Sequence, residues 1–256
     1  MNDIYKNNYF IIILKLLLMF SWKYVKSKTI TITNQDDFQL VFQNKYNNLD
    51  DNNEEFNYIF IDDHYSFTYS EPIQNIIYSP VNLIGKESKT VFDFNNFTNG
   101  LINLKFKGKN KKYLKFKNFI FKDYNNKNIR NSLFKIDEGD NDYQLIFQDC
   151  TFENNETVLI IYTYCRDIKE QKKVIFENCK FINITNELIR LNYKEDNILL
   201  NESICYELKI SNCIFNNIDN VATIDYGNAT IENSIYIHIH KYKIIMNLYK
   251  YICLSI

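Results

Sequence analysis

The sequence predicts an all-β chain that folds as a parallel β-helix, a solenoid whose coils each contribute short strands to stacked sheets. The first observation is composition, because 38 Ile, 20 Tyr and 20 Phe among 256 residues favour strands over helices. The second is a ten-residue motif that occurs five times at spacings of 21 to 34 residues, a period typical of solenoids. A formal net charge of −1 excludes a strongly basic nucleic-acid binder and a highly charged disordered chain.

Residues 1–27 have the pattern of a secretory signal peptide. Lys6 lies in a short polar start, an apolar run covers residues 10–20, and Val25 and Ser27 occupy the two positions that a signal peptidase reads. The run is shorter than the roughly 20 residues needed to span a bilayer. An uncleaved anchor and a buried first strand or helix are the alternatives. The sequence thus predicts a secreted or cell-surface protein without a transmembrane helix.

The next segments suit an N-terminal cap. Residues 28–33 alternate as a strand, and residues 36–44 place Phe38, Val41 and Phe42 on one face of a short helix. Such a helix would cover the open end of the solenoid core, where an uncovered strand edge invites aggregation.

The repeated motif reads apolar-x-apolar-x-[Asn/Asp]-[Cys/Phe/Ser]-x-aromatic-x-[Asn/Asp], with His238 the one departure at the last position. Its two apolar pairs lie an odd number of positions apart, although both need to face the core. Because strand side chains alternate between faces, the chain must bend between the pairs, at the Asn or Asp that tolerates a left-handed backbone. A second polar corner and a further apolar stretch follow, which gives three strands per coil. The five copies begin at Leu114, Leu145, Val174, Leu208 and Ala229.

Coils stacked about 4.8 Å apart place equivalent residues in ladders along the solenoid. Corner side chains can then hydrogen-bond between coils, and aromatic rings can stack through the core. A third ladder contains cysteines, for which disulfide bonding and burial as unpaired thiols are both open. The corner ladder comprises Asn118, Asp149, Asn178, Asn212 and Asn233; the aromatic ladder comprises Phe121, Phe152, Phe181, Phe215 and Tyr236; and the cysteine ladder comprises Cys150, Cys179 and Cys213.

The Asn-Cys-x-Phe-x-Asn copies resemble the repeats of secreted right-handed β-helix proteins of the pectin-lyase-like superfamily, including the polymorphic outer-membrane-protein type. Upstream, residues 81–93 resemble the strand–Gly–loop–strand unit of the early coils in that superfamily. The resemblance covers roughly residues 75–239 and implies a right-handed parallel β-helix. The Gly-Gly-Ala-type turn that usually follows the Asn corner in the outer-membrane type is absent.

The predicted organisation is a signal peptide at 1–27, a parallel β-helix domain with its N-terminal cap at 28–240, and a C-terminal cap or tail at 241–256. A membrane anchor and a truncated end are alternatives for the last segment. Its apolar residues have helical spacing: Ile244, Ile245, Leu248 and Ile252.

Five Asn-x-Ser/Thr sequons are candidates for N-glycosylation in a secreted glycoprotein. Chance predicts roughly 3 such triplets at this composition, so five are not an enrichment. The sequons begin at Asn96, Asn155, Asn183, Asn201 and Asn228.

Residues with recognisable chemistry are few. The Asp62-Asp63-His64 triplet follows a predicted strand and is typical of an acidic loop. The acidic run 137–142 has hard oxygen ligands for calcium, although its spacing differs from an EF-hand and a solvated turn is the alternative. His238 and His240 share a strand face, which suits either a metal or two surface residues. No catalytic set, resident metal or other cofactor is predicted.

Two functional classes remain. The first is a non-catalytic β-helix that presents an elongated surface to extracellular glycans, matrix or proteins, and the second is a diverged polysaccharide lyase or glycoside hydrolase. An enzyme would line one strand face with three or more acidic or basic groups from adjacent coils. The outward rows that the repeats define do not concentrate charge, so the sequence favours the first class. These rows are Gln148, Glu177 and Ser211, and Thr151, Lys180 and Ile214.

Overall fold

The chain winds as a parallel β-solenoid, with strands of successive coils stacked side by side in two sheets. This confirms the predicted all-β parallel β-helix. The computed structural model describes residues 27–33, 41, 54–67, 73–96, 102–107, 112–125, 132–137, 143–163, 172–193, 206–225, 227–239, 244–247 and 252–255.

The strands of the described residues, in chain order, are β1 Ser27–Ile32, β2 Glu55–Phe60, β3 His64–Ser66, β4 Ile73–Ile77, β5 Val81–Ile84, β6 Thr90–Asp93, β7 Ile102–Phe106, β8 Lys112–Lys117, β9 Phe119–Lys122, β10 Phe134–Asp137, β11 Tyr143–Gln148, β12 Thr151–Thr163, β13 Lys172–Glu177, β14 Lys180–Tyr193, β15 Tyr206–Ser211, β16 Ile214–Ile218, β17 Ala222–Asp225, β18 Gly227–Glu232, β19 Ile235–Ile239, β20 Ile244–Asn247 and β21 Ile252–Ser255.

The first sheet has nine parallel strands in the order β1-β2-β5-β8-β11-β13-β15-β18-β21. Their register aligns the apolar positions of the motif, so that Leu145 lies between Leu114 on one side and Val174 on the other. Along β8 and β11 buried and half-buried residues alternate strictly. The sheet therefore turns one face to the core and the other outward, as its period of two requires.

The second sheet has two parts. The near wing, which follows the first sheet along each coil, contains β3, β6, β9, β16, β19 and the first halves of β12 and β14. The far wing contains β4, β7, β10, β17, β20 and the second halves of β12 and β14. A register shift between Asn155 and Thr157 marks the corner where β12 turns from one wing to the other.

The C-terminal segment forms strands, although the spacing of its apolar residues predicts a helix. Its strands β20 and β21 pair with β17 and β18. Isoleucine is β-branched and favours strands, and the preceding coil offers unpaired backbone groups to any strand that stacks on it. The apolar spacing was compatible with both structures, and the stacking partner decides between them.

Two predicted N-terminal features lie outside the described residues. These are the signal peptide, apart from Ser27, and the capping helix at 36–44, apart from Val41. Val41 is helical, is 4% exposed and belongs to the core.

Candidate functional site

The outer face of the first sheet carries three parallel rows of side chains, and the row toward the end of each strand includes Gln148, Glu177, Ser211 and Glu232. The central row consists of Thr29, Asn57, Asn82, Lys115, Ile146, Ile175, Lys209 and Thr230, from eight successive strands. The row beside it, toward the start of each strand, includes Ser27, Glu55, Tyr113, Gln144, Lys173, Glu207 and Asn228. We call this surface the first-sheet face.

One end of the first-sheet face holds a compact hydrogen-bonded group, here called the Asn82 cluster, consisting of Glu55, Asn57, Asn82 and Tyr113. The Asn82 Nδ2 donates to Glu55 Oε1 at 2.6 Å and to Asn57 Oδ1 at 2.7 Å, and lies 3.4 Å from the Tyr113 hydroxyl. These four side chains come from three adjacent strands and are all half-buried. Register alone brings them together, because residues 25 to 31 positions apart in sequence become neighbours when coils stack.

The phenol of Tyr113 stays protonated in this cluster. Burial raises the pKa of Tyr113, and the nearby Glu55 carboxylate raises it further, although the hydrogen bond with Asn82 opposes the shift. The hydroxyl therefore remains a hydrogen-bond donor throughout the neutral pH range.

Further along the first-sheet face, acidic side chains are held in ion pairs. Lys173 Nζ lies 2.8 Å from Glu207 Oε2, and Lys209 Nζ lies 2.8 Å from Glu232 Oε1. The hydrogen bond with Glu232 raises the pKa of Lys209. Each of these two carboxylates therefore has a lysine ammonium group as its partner.

A second polar group lies on the outer face of the near wing, here called the Asp93 cluster, and consists of His64, Asp93 and Lys122. Asp93 Oδ2 lies 2.8 Å from Lys122 Nζ and 3.5 Å from His64 Nε2, while its Oδ1 accepts from the backbone N–H of Asn95 at 2.8 Å. The hydrogen bond with Asp93 raises the pKa of Lys122. Three charged or titratable side chains on three consecutive coils thus meet around one carboxylate.

The outward rows predicted from the sequence do not include the Asp93 cluster. The five aligned motifs began at residue 114, so β3 and β6 had no register with the later coils. A signal was present at the ninth motif position, where Lys122 and Glu153 are adjacent charged residues in the register of β9 and β12. Of the Asp62-Asp63-His64 triplet, Asp63 forms an ion pair with Lys86 at 2.5 Å, and Asp62 is an exposed loop residue.

Lys89 connects the loop after β5 to a strand two coils away. Its Nζ donates to Thr151 Oγ1 at 2.8 Å, and its backbone has a φ of 74°. Burial lowers the pKa of Lys89, and neighbouring Lys180 adds to this effect. A positive φ at lysine costs conformational energy, so the surrounding loop imposes it.

The corner residues of the motif occupy equivalent positions and share a left-handed backbone. Their φ values lie between 51° and 64°. One hydrogen bond between corner side chains runs from Asn178 Nδ2 to Asp149 Oδ1 at 3.2 Å. The five residues are Asn118, Asp149, Asn178, Asn212 and Asn233.

The second corner carries a longer hydrogen-bonded ladder than the first. Its residues, Asp123, Asn154, Asn183 and Asn217, also have positive φ values, from 54° to 61°. Each Asn donates its Nδ2 to the Oδ1 of the residue one coil earlier, at 3.1, 2.9 and 2.9 Å in chain order. Next to this ladder the buried side chain of Asn155 donates to Phe121 O and accepts from the Tyr124 N–H.

The aromatic residues of the motif form one column through the core. Ring centroids of successive coils are 5.0, 5.3, 5.1 and 4.8 Å apart, and the planes are inclined by no more than 22°. A parallel column on the first sheet stacks Phe116, Phe147 and Phe176 at 5.2 and 4.9 Å. The motif column consists of Phe121, Phe152, Phe181, Phe215 and Tyr236.

The three motif cysteines are buried free thiols. Each sulfur donates to the carbonyl oxygen of a phenylalanine one coil earlier: Cys150 to Phe116, Cys179 to Phe147 and Cys213 to Phe176, at 3.5, 3.4 and 3.7 Å. Burial raises the pKa of Cys179, and the hydrogen bond with Cys179 together with burial raises that of Cys213. Cys179 and Cys213 are therefore held in the thiol form, and all three side chains are enclosed in the core.

The sequons occupy different environments. Asn96 is exposed, Asn155 is 1% exposed with both amide atoms hydrogen-bonded, and Asn183 belongs to the second-corner ladder. Asn228 is half-buried, and its Oδ1 is buried without a partner among the described residues. Asn201 lies outside the described residues.

Other predicted sites fall largely outside the described residues. These are the candidate calcium run 137–142 apart from the backbone of Asp137, the whole of His240, and the side chain of His238, whose backbone belongs to β19. Among the residues that the structure describes, no group of three or more His, Cys, Asp and Glu could hold a metal ion. Within the same residues, no helix is long and apolar enough to cross a membrane.

Comparison of the chain with protein-family models and with curated proteins gives no match.

Proposed function

We propose that the protein is a non-catalytic, secreted or cell-surface β-helix that binds extracellular glycans through the first-sheet face. The observation that carries this proposal is the Asn82 cluster, in which amide, carboxylate and phenol groups from three adjacent strands are held by hydrogen bonds on an outward face. Such side chains match the alternating donors and acceptors of sugar hydroxyls. Fixed in place by the sheet, they lose little conformational entropy on binding.

Within the parallel β-helix fold, we propose that the chain belongs with the right-handed β-helix proteins of the pectin-lyase-like superfamily. It is supported by the Asn-Cys-x-Phe-x-Asn motifs and by the rule that crossovers between parallel strands of one sheet are right-handed in about 98% of cases. Secretion is supported by the signal-like pattern of residues 1–27.

A glycan array tests the binding proposal. The full chain, expressed with a cleavable secretion signal and purified, is expected to bind a subset of polysaccharide fragments, with the same pattern in the presence of calcium and of a chelator. The matched variant Asn82→Ala is expected to lose these signals, while Asn103→Ala, on the outer face of the far wing, retains them. An array without signals would contradict the proposal.

A diverged carbohydrate-active enzyme is the second candidate, because the Asp93 cluster combines an acid with two basic side chains. Its carboxylate is paired with Lys122 and accepts a hydrogen bond from the Asn95 N–H, which favours a structural role. Release of reducing ends from pectic polymers measures this activity directly. Activity that disappears in Asp93→Asn would favour the enzyme over the binding protein.

A further inference from the structure

We propose that the Asn82 cluster is a subsite for an uncharged sugar, so that the protein selects neutral over acidic glycans. This inference rests on the proposed glycan binding and adds the chemical class of the ligand and the residues that choose it.

The polar groups of the cluster fit a sugar ring. The two hydrogens of the Asn82 amide cannot satisfy all three of the oxygens around it, and the bond to the Tyr113 hydroxyl is the longest, at 3.4 Å. Sugar hydroxyls, which both donate and accept, can take the place of this long contact. The half-buried ring of Tyr113 also offers an apolar surface for the C–H groups of a sugar.

The charge of the cluster sets the ligand class. Glu55 accepts from Asn82, and no lysine or arginine among the described residues forms an ion pair with it, in contrast to Glu207 and Glu232 on the same face. A half-buried carboxylate without a paired cation repels a uronate or a sulfate. Lys115 is next to Asn82 in the central row but takes no part in the hydrogen bonds of the cluster.

The stacking of coils allows the site to continue beyond one sugar. Asn57 donates its own Nδ2 to Ser27 Oγ at 2.7 Å, so the polar array extends from β8 to β1 across four strands. With strands about 4.8 Å apart, successive rings of an extended glycan aligned with the solenoid axis meet successive strands.

Isothermal titration calorimetry with a neutral β-glucan tetrasaccharide and with tetragalacturonate tests the proposal. The wild-type chain is expected to bind the neutral probe more tightly than the acidic one. Asn82→Ala and Tyr113→Phe should each weaken neutral binding at least tenfold. Tyr113→Phe removes only a hydroxyl, so it remains informative if Asn82→Ala does not fold.

Two charge variants distinguish the ligand classes. Glu55→Gln should raise the affinity for tetragalacturonate, while Asn103→Ala, which lies outside the first-sheet face, is expected to leave neutral binding unchanged. Tighter binding of tetragalacturonate by the wild type, weakened by Lys115→Gln, would overturn the neutral class. If neither Asn82→Ala nor Tyr113→Phe changes the affinity for the neutral probe, the subsite is wrong but the proposed glycan binding stands. A glycan array without signals would contradict both the subsite and the proposed glycan binding.

Discussion

At the scale of single residues, asparagine sets the corners of each coil. The chain contains only five glycines, so the residues with positive φ at its corners are almost all Asn or Asp. Asparagine tolerates the left-handed region and, unlike glycine, brings an amide that can bond to the next coil. The hydrogen bonds from Asn154, Asn183 and Asn217 to the preceding coils make use of that amide.

Replacing Asn178 with alanine is expected to lower the free energy of unfolding by about 1–2 kcal/mol, because an alanine Cβ disfavours its φ of 54°. The hydrogen bond to Asp149 is lost as well. Asn178→Gly separates the two effects, since glycine adopts this backbone freely. Urea unfolding monitored by circular dichroism gives both values. If both variants lose the same free energy of unfolding, the strain of the left-handed backbone is not the cause of the destabilisation.

The buried thiols give a second prediction at this scale. In a chain whose Cys165, Cys205 and Cys253 are replaced by serine, the remaining three thiols are expected to be unreactive toward a thiol reagent at pH 8. The reactive species is the thiolate, and burial raises the pKa of Cys179 and disfavours its formation. Guanidinium should make all three thiols reactive. Rapid labelling of the native chain, or disulfides found by mass spectrometry, would contradict the enclosed free-thiol structure.

At the scale of elements, the repeated motif predicts the strands of the first sheet and of the near wing from β8 to β19, whereas the second and third strands predicted for two coils form the continuous strands β12 and β14. Each copy of the motif determines which of its side chains face the core and where the chain bends. Because the bend lies at the same motif position in every copy, the copies can be aligned even though the loops between them differ in length. The coils before β8 lack the Asn or Asp of the first corner. In the third coil Gly85 occupies the position of Asn118, and a Cβ added there would come within 2.4 Å of the Asn118 carbonyl oxygen. The loop that follows Gly85 is specific to that coil.

The candidate sites could not be predicted in the same way. The Asn82 cluster depends on the register among β2, β5 and β8, and only β8 overlaps a copy of the motif. In the sequence, its residues have no feature that distinguishes them from other polar residues. The Asp93 cluster likewise joins β9, which carries a motif copy, to β3 and β6, which carry none. Periodicity predicts which face a side chain occupies, whereas a site also requires the register between coils, and this is set by packing.

The ion pair between β6 and β9 has a predictable pH dependence. Because Asp93 raises the pKa of Lys122 above its ordinary value of 10.5, the stabilisation is complete below that pH and is lost as pH rises through the folded-state pKa. The difference in unfolding free energy between wild type and Lys122→Gln is therefore expected to be constant from pH 7 to about pH 9 and to shrink above about pH 10.5.

Urea unfolding of both chains at pH 7, 9 and 11 measures this difference. Lys28→Gln is the matched control, because Lys28 is an exposed lysine on a strand. A difference that persists unchanged at pH 11 would mean that Lys122 acts through packing of its aliphatic stem and not through its charge.

At the scale of the whole molecule, the solenoid is a one-dimensional stack. Each inner strand of the described residues pairs with the coil before and the coil after it, so every inner coil is stabilised by its two neighbours. The aromatic column follows the same rule, since each ring stacks on the next ring along the axis. Stability in such a fold is local, and a defect in one coil weakens its neighbours most.

Phe181→Ala tests this nearest-neighbour organisation. Phe181 stacks on Phe152 at 5.3 Å and on Phe215 at 5.1 Å, and its loss leaves a cavity that typically costs about 3–5 kcal/mol. Native-state hydrogen exchange read by mass spectrometry is expected to accelerate in β11–β16 and to change little in β2 and β5. Phe181→Leu, which keeps much of the volume, should produce a smaller change in the same strands. Uniform acceleration in all strands would mean that the coils unfold as one cooperative unit, and the stack would then not behave as a chain of neighbours.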